Sequence, residues 1–152
     1  MVEPLLKREG NLRFVGLACR GWPADPLAVA ADVRRRLDGT TLVPHGPASV
    51  LFSLPPDDQS PDQWECQVGT AVTGLPATIP GLSVEDYRGL HALSQPHRGA
   101  VRDLPATLRA LTDHARGLGH RLRPYWRLAL RCRRLADGNL LPVADVAVFL
   151  DR

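Results

Sequence analysis

The residues of this chain best suited to chemistry are large rings set beside groups that can carry charge: Trp64-Glu65, Tyr87 through His91, and Tyr125-Trp126-Arg127. Rings supply stacking area, and one placed ion or imidazole orients whatever stacks there; small-molecule pockets are built this way. Trp64, Tyr87 and Trp126 are therefore expected to give stacking surface, with Arg127 and His91 as polar anchors and Glu65 as the alternative anchor. Trp64 and Glu65 are adjacent in a strand pattern, so only one of them can face a cleft. If the site is catalytic, Glu65 or His91 is the candidate general base, activating water beside aromatic walls.

Other chemistries find little footing. The five histidines show no i, i+4 pairing and the three cysteines stand far apart in sequence, so no metal centre and no cofactor are expected. Cys19, Cys66 and Cys132 fall in apolar strand patterns and read as core residues. Neither a phosphate-cradling glycine loop nor a nucleophile elbow occurs. Arg34, Arg35 and Arg36 read as the solvent side of a helix. With no helix-turn-helix pattern and no RNA-stacking aromatic pair, no direct nucleic-acid partner is expected.

The positioning elements follow from periodicity. With 152 residues, 44% of them hydrophobic, residues 1–152 read as one domain able to bury its own core. No apolar run approaches the ~20 residues that span a bilayer, no signal peptide opens the chain, and an odd cysteine count suits a reducing compartment; a cytoplasmic protein without membrane contact is expected. The formal net charge is +3, unevenly spread: acids alone from Asp57 to Asp86, then ten arginines against two aspartates from Arg98 to Arg134.

Leu12–Arg20 reads as a strand. Asp25-Pro26 opens a helix whose Leu27, Ala30, Val33 and Leu37 share a face, with Gly39 as terminator. Ser49–Leu54 and Gln63–Val72 are strands around a polar loop. Val84–Leu93 is a wetter strand. Asp103 caps a second helix, with Leu104, Leu108, Leu111, Ala115 and Leu118 in one stripe and Gly119 at its end. Tyr125–Arg134, a hairpin turn at Asp137-Gly138 and Leu141–Leu150 complete the chain. The order is βαββ followed by βαββ, an internal repeat over 12–74 and 82–151. The expected fold is α+β: two pseudo-symmetric units side by side, forming one antiparallel-rich sheet with two main helices and a central cleft.

This layout resembles the GyrI-like small-molecule-binding family, which includes the AraC-type effector-binding domains. Leu12-Arg-Phe-Val-Gly-Leu-Ala18 resembles its opening strand, and Trp64-Glu-Cys-Gln-Val-Gly-Thr-Ala-Val72 its aromatic-then-"VGV" strand. Ile79-Pro-Gly-Leu-Ser-Val-Glu-Asp-Tyr87 through His91 resembles the strand opening the second half, and Leu141-Pro-Val-Ala144 the last one. The resemblance implies a stand-alone bacterial ligand-binding domain that senses or sequesters a hydrophobic effector or toxic compound between its halves, in the manner of multidrug-binding sensors. It also implies two alternatives: hydrolysis of a strained electrophilic natural product, and a gyrase-inhibitor-like module whose partner is another protein. A DNA-binding module is absent from the sequence, so a self-contained transcription factor is not expected. Cation-binding relatives carry a buried Glu in the penultimate strand, where this chain has Trp126 or Arg127; the resemblance therefore implies a neutral or anionic ligand here.

Overall fold

The computed structural model describes residues 4–23, 25–53, 63–97, 103–134 and 140–151. Among them run β1 (Leu5–Arg20), α1 (Pro26–Arg36), β2 (Val43–Ser53), β3 (Glu65–Thr73), β4 (Ser83–His97), α2 (Leu104–Gly117), β5 (Arg121–Arg134) and β6 (Leu140–Asp151). The fold is α+β, with every strand pairing antiparallel. The sheet closes on itself in the order β1-β3-β2-β5-β6-β4, with β4 returning to β1. Closure removes the free edges that an open six-stranded sheet would expose.

A closed ring has an inside and an outside, and strand alternation assigns each side chain to one of them. The outer face of one side is covered by helices. Val50, Phe52, Cys66, Val68, Trp126, Leu128 and Val148 pack there with Ala30 of α1 and with Leu104, Leu108, Leu111 and Ala115 of α2 in a single cluster. Both helices thus lie on the same face of the sheet. A smaller cluster extends it under α1, where Val33 and Leu37 meet Val15, Leu42, Val72 and Ile79. The residues of opposite parity, Phe14, Leu51, Leu90, Ala92, Ala147 and Phe149, fill the inside.

The helices start and stop as their sequences dictate, with one exception. Asp25 Oδ1 accepts from Ala28 N at 3.1 Å and Pro26 occupies the first turn. Asp103, expected to cap α2, makes no side-chain capping bond; its backbone is already helical (φ −90°, ψ −7°), which turns the carboxylate away from the free N–H groups. Gly39 and Gly119 take the left-handed conformation (φ +78° and +84°) just past the two helix ends. Four strands run well past their apolar patterns; β5 starts at Arg121 rather than Tyr125, because Arg121 and Leu122 still pair with β6 before a register shift. β1 begins at Leu5 rather than Leu12 because the polar Lys7–Asn11 stretch still pairs with β4, through bulges that use Gly10 and Gly89 at positive φ. β2 begins at Val43 despite Pro44 and Pro47, tolerated beside a register shift between His45 and Ser49. β4 runs on to His97, paired with β6. The hairpin at Asp137-Gly138, the loop from Pro55 to Pro61 and the Cys132 side chain lie outside what is described.

One contact fixes how closely β1 and β3 approach. Gly16 and Gly69 are register partners, and a Cβ on Gly69 would stand 1.9 Å from the Val15 carbonyl oxygen and 2.8 Å from Gly16 Cα. Backbone cannot yield as a side-chain tip can. Gly69→Ala is expected to cost at least about 2–3 kcal/mol, the upper range for overpacking, read from the midpoint shift of a urea melt.

Candidate functional site

At one mouth of the barrel the inward-facing parity leaves a cavity of about 870 Å³. Leu51 lies on its floor; Tyr87 from β4 and Tyr125 from β5 form a wall; Glu65, Gln67 and Glu85 supply polar groups. The two tyrosine rings are 4.8 Å apart although their strands do not pair, so they meet across the inside of the ring. Tyr125 leans in turn on Phe149, centroids 5.4 Å apart.

Glu85 is the centre of this site. Its carboxylate accepts a hydrogen bond from the Tyr87 hydroxyl and another from Gln67 Nε2 at 3.0 Å. Gln67 Oε1 is occupied by the Ser83 hydroxyl at 2.7 Å, so the amide is held at both ends. Glu85 has no ion-pair partner among the described residues. Burial, then the hydrogen bond to Glu85 and its charge, push the Tyr87 phenol above its ordinary range: the hydroxyl stays protonated and acts as a donor.

Six residues were expected to form the site from sequence, and the structure separates them. Tyr87 and Glu65 line the cavity. Trp64 does not. It lies on the opposite face of β3, 2% exposed in the cluster under the helices, which settles which of the Trp64-Glu65 pair faces inward. Trp126 is 0% exposed in the same cluster, stacked with Phe52 at 4.4 Å and edge-on to Trp64 at 5.4 Å. The half-buried Trp22 also stacks with Phe52, at 5.8 Å. His91 shares its parity with Leu93 of that cluster, opposite to the inward Ala92, and lines neither barrel mouth.

Arg127 faces inward but toward the other mouth, where it borders a second cavity of about 410 Å³ with Lys7, Asn11 and His45. Its guanidinium makes a bidentate pair with Glu9, both contacts 2.6 Å, and lies 5.3 Å above the Phe149 ring. β1 and β5 stand on opposite sides of the ring, so this ion pair crosses the barrel. The carboxylate cancels the positive charge expected to select an anion.

Glu85 and Gln67 were absent from the expected site, and Tyr125 was placed among the aromatics beside it without a role. A signal existed: residues two apart in a strand share a face, so Glu85 and Tyr87 had to point the same way. Among the described residues no group of three or more His, Cys, Asp or Glu could hold a metal ion. No helix among the described residues is long and apolar enough to cross a membrane.

No family model matches this sequence and no curated protein matches it. Solved structures do. The C-terminal domain of EcmrR superposes over 100% of this chain and 99% of its own with a TM-score of 0.73 at 11% identity. SAV2435 bound to tetraphenylphosphonium gives 0.56 at 12% identity, over 99% of this chain and 94% of that one. A hydrolase from Listeria innocua gives 0.57 at 11% identity, over 98% and 92%. At these identities the likeness shows a shared fold. That fold occurs in a domain of EcmrR, a protein also solved in complex with DNA, and it holds tetraphenylphosphonium in SAV2435.

Two predictions follow from the burial of these groups. Trp126→Ala empties a closed aromatic cluster and is expected to lower stability by about 3–5 kcal/mol in a urea melt, the range for deleting a core aromatic. The second concerns pH. Tyr87 and Cys66 both hold their protons more tightly folded than unfolded, and burial is the main cause in each; the Cys66 thiol is pushed up to about 12. Their contribution is fully present below the unfolded values, about 8.5 for Cys and 10 for Tyr, and is lost as pH rises through the folded ones. Melting temperature should therefore fall above about pH 9, and Tyr87→Phe should flatten the decline above pH 10.

Proposed function

We propose that this chain is a GyrI-like ligand-binding domain that senses or sequesters an apolar small molecule carrying positive charge, held in the 870 Å³ cavity. The observation that carries this reading is the Glu85 carboxylate: partly withdrawn from water, held by two hydrogen bonds, and without a counter-ion among the described residues. A carboxylate so placed is incompletely compensated, and a cation entering beside it restores the balance while its apolar body covers Tyr87 and Tyr125. Glu65 at the rim adds negative charge, offset in part by Arg20, its register partner on β1. The binding of tetraphenylphosphonium by SAV2435, of the same fold, is consistent with this choice of ligand class. The ligand sign is thus opposite to the one implied by the missing glutamate, because Arg127 is neutralised and faces the other mouth.

One observation favours a second location for the same function. Trp126 Nε1 is buried and has no hydrogen-bond partner among the described residues. It belongs to the stack of Trp22, Phe52 and Trp126 at the position where GyrI-like relatives place their ligand-reading side chain. A ligand on the helix side would displace the half-buried Trp22 and offer that N–H an acceptor. Hydrolysis of an electrophile keeps one of its two alternative bases at the cavity, Glu65, whereas His91 lies on the other face of the sheet.

Tetraphenylphosphonium and tetraphenylborate, alike in shape and opposite in charge, separate these readings by titration calorimetry. The cation should bind at least about tenfold more tightly than the anion, and Glu85→Gln should weaken the cation about tenfold, near 1.4 kcal/mol. Equal affinities, or an unaffected Glu85→Gln variant, would overturn the cavity reading. Loss of cation binding on Trp22→Ala with Glu85→Gln unaffected would move the site to the helix side.

A further inference from the structure

A second reactive feature is part of the cavity's own lining, where Cys19 and Cys66 stand together, and the reading above does not use it. Cys19 of β1 and Cys66 of β3 are direct register partners, both free thiols. Gly21 N donates to Trp64 O at 2.6 Å, which makes 21/64 a hydrogen-bonded pair; antiparallel ladders alternate, so 19/66 is one too, with Cα atoms about 5.5 Å apart. Both side chains point to the helix side, where Cys66 is buried and Cys19 half-buried. Each thiol points at a carbonyl: Cys19 Sγ at Leu17 O and Cys66 Sγ at Gly21 O, both 3.6 Å.

We propose that Cys19 and Cys66 form a two-thiol capture site for a soft trivalent metalloid, of which a monosubstituted arsenical, R–As(OH)₂, is the representative. Two arguments select this chemistry over a disulfide. The first is reach. A disulfide draws the Cβ atoms in to about 3.8 Å, whereas an inserted atom spans the gap with two bonds instead of one and leaves the ladder in place. The second is protonation. Disulfide formation needs a thiolate, and Cys66 is held as the thiol by burial and by its neighbour. Condensation with a dihydroxy metalloid brings its own base. Two As–O bonds break, two As–S bonds form, and each thiol proton leaves on a hydroxide as water; arsenic stays trivalent and nothing is oxidised or reduced. Cys19, half-buried, reacts first, and Cys66 then closes the ring intramolecularly at high effective concentration. A tetrahedral metal such as zinc is not served by this pair, because no third His, Cys, Asp or Glu ligand joins it among the described residues.

The probe is phenylarsine oxide, which hydrates to the dihydroxide, read by intact-mass spectrometry on the full chain and on the single variants Cys19→Ser, Cys66→Ser and Cys132→Ser. The expected result is one phenylarsenic group per chain, retained against excess mercaptoethanol, released by a 1,2-dithiol and unchanged in Cys132→Ser. Retention against the monothiol should fall about a hundredfold in Cys19→Ser and Cys66→Ser, the loss expected when a chelate becomes a single bond. Should Cys66→Ser fail to fold, Cys19→Ser at the more exposed position decides alone. A wild-type adduct stripped by mercaptoethanol, or one that survives equally in Cys19→Ser, would overturn the site. Because Cys19 and Cys66 border the cavity that also holds Glu85, the Glu85→Gln variant is run alongside: unchanged phenylarsenic retention in it keeps failure of this site distinct from failure of the cation reading.

Discussion

Everything in this molecule depends on strand alternation within a ring that has no free edge. In an open sheet one face can be left to solvent and its residues chosen loosely. Here β1 pairs with both β3 and β4, so the inward residues meet one another across a confined space. Placing Phe52, Cys66 and Trp126 beneath the helices obliges Leu51, Glu65, Gln67, Tyr125 and Arg127 to face inside. The core and the site are therefore one decision, made strand by strand.

That coupling explains what could be read from the sequence and what could not. Both helices were legible, since Asp25-Pro26, Leu104-Pro105 and the glycines at 39 and 119 act locally. The order of elements and the shared helical face were legible too. The first seven residues of β1 were not, because Lys7 to Asn11 carries no apolar pattern and is held by pairing and by two bulges. The site was half legible. Tyr87 and Glu65 could be picked as an aromatic and a charge in strands. Which member of Trp64-Glu65 or Trp126-Arg127 faced the cavity depended on where the helices settled, a tertiary fact. Aromatic size misled here: the two tryptophans are the largest fully buried side chains. Glu85 and Tyr87, two residues apart, could have been paired by parity alone.

The inside of the barrel treats its charges in two ways. At one end Arg127 and Glu9 neutralise each other bidentately, at 18% and 20% side-chain exposure. Such a pair roughly offsets its own desolvation, and its chief effect is to fix how β1 and β5 stand across the ring. At the other end Glu85 is held by neutral donors alone. Neutral hydrogen bonds stabilise a carboxylate without discharging it, so the negative potential remains at that mouth. The contrast has a structural origin: bulges at Gly10 and Gly89 reset the phase of β1 against β4, letting Glu9 and Glu85 both face inward at different heights.

The two sides of β2 and β5 are joined by single residues. Phe52 pairs with Trp126 under the helices, and the next pair, Ser53 and Tyr125, faces the cavity. One peptide unit therefore separates Tyr125 from Trp126 of the Trp22–Phe52–Trp126 stack. That stack is close-packed at its buried end and half-buried at Trp22, so displacement has one direction open to it. Trp22 sits in the turn that leads from Gly21, at positive φ, into the Asp25 cap of α1. A continuous run of packed rings thus joins the cavity wall to the segment that leads into α1.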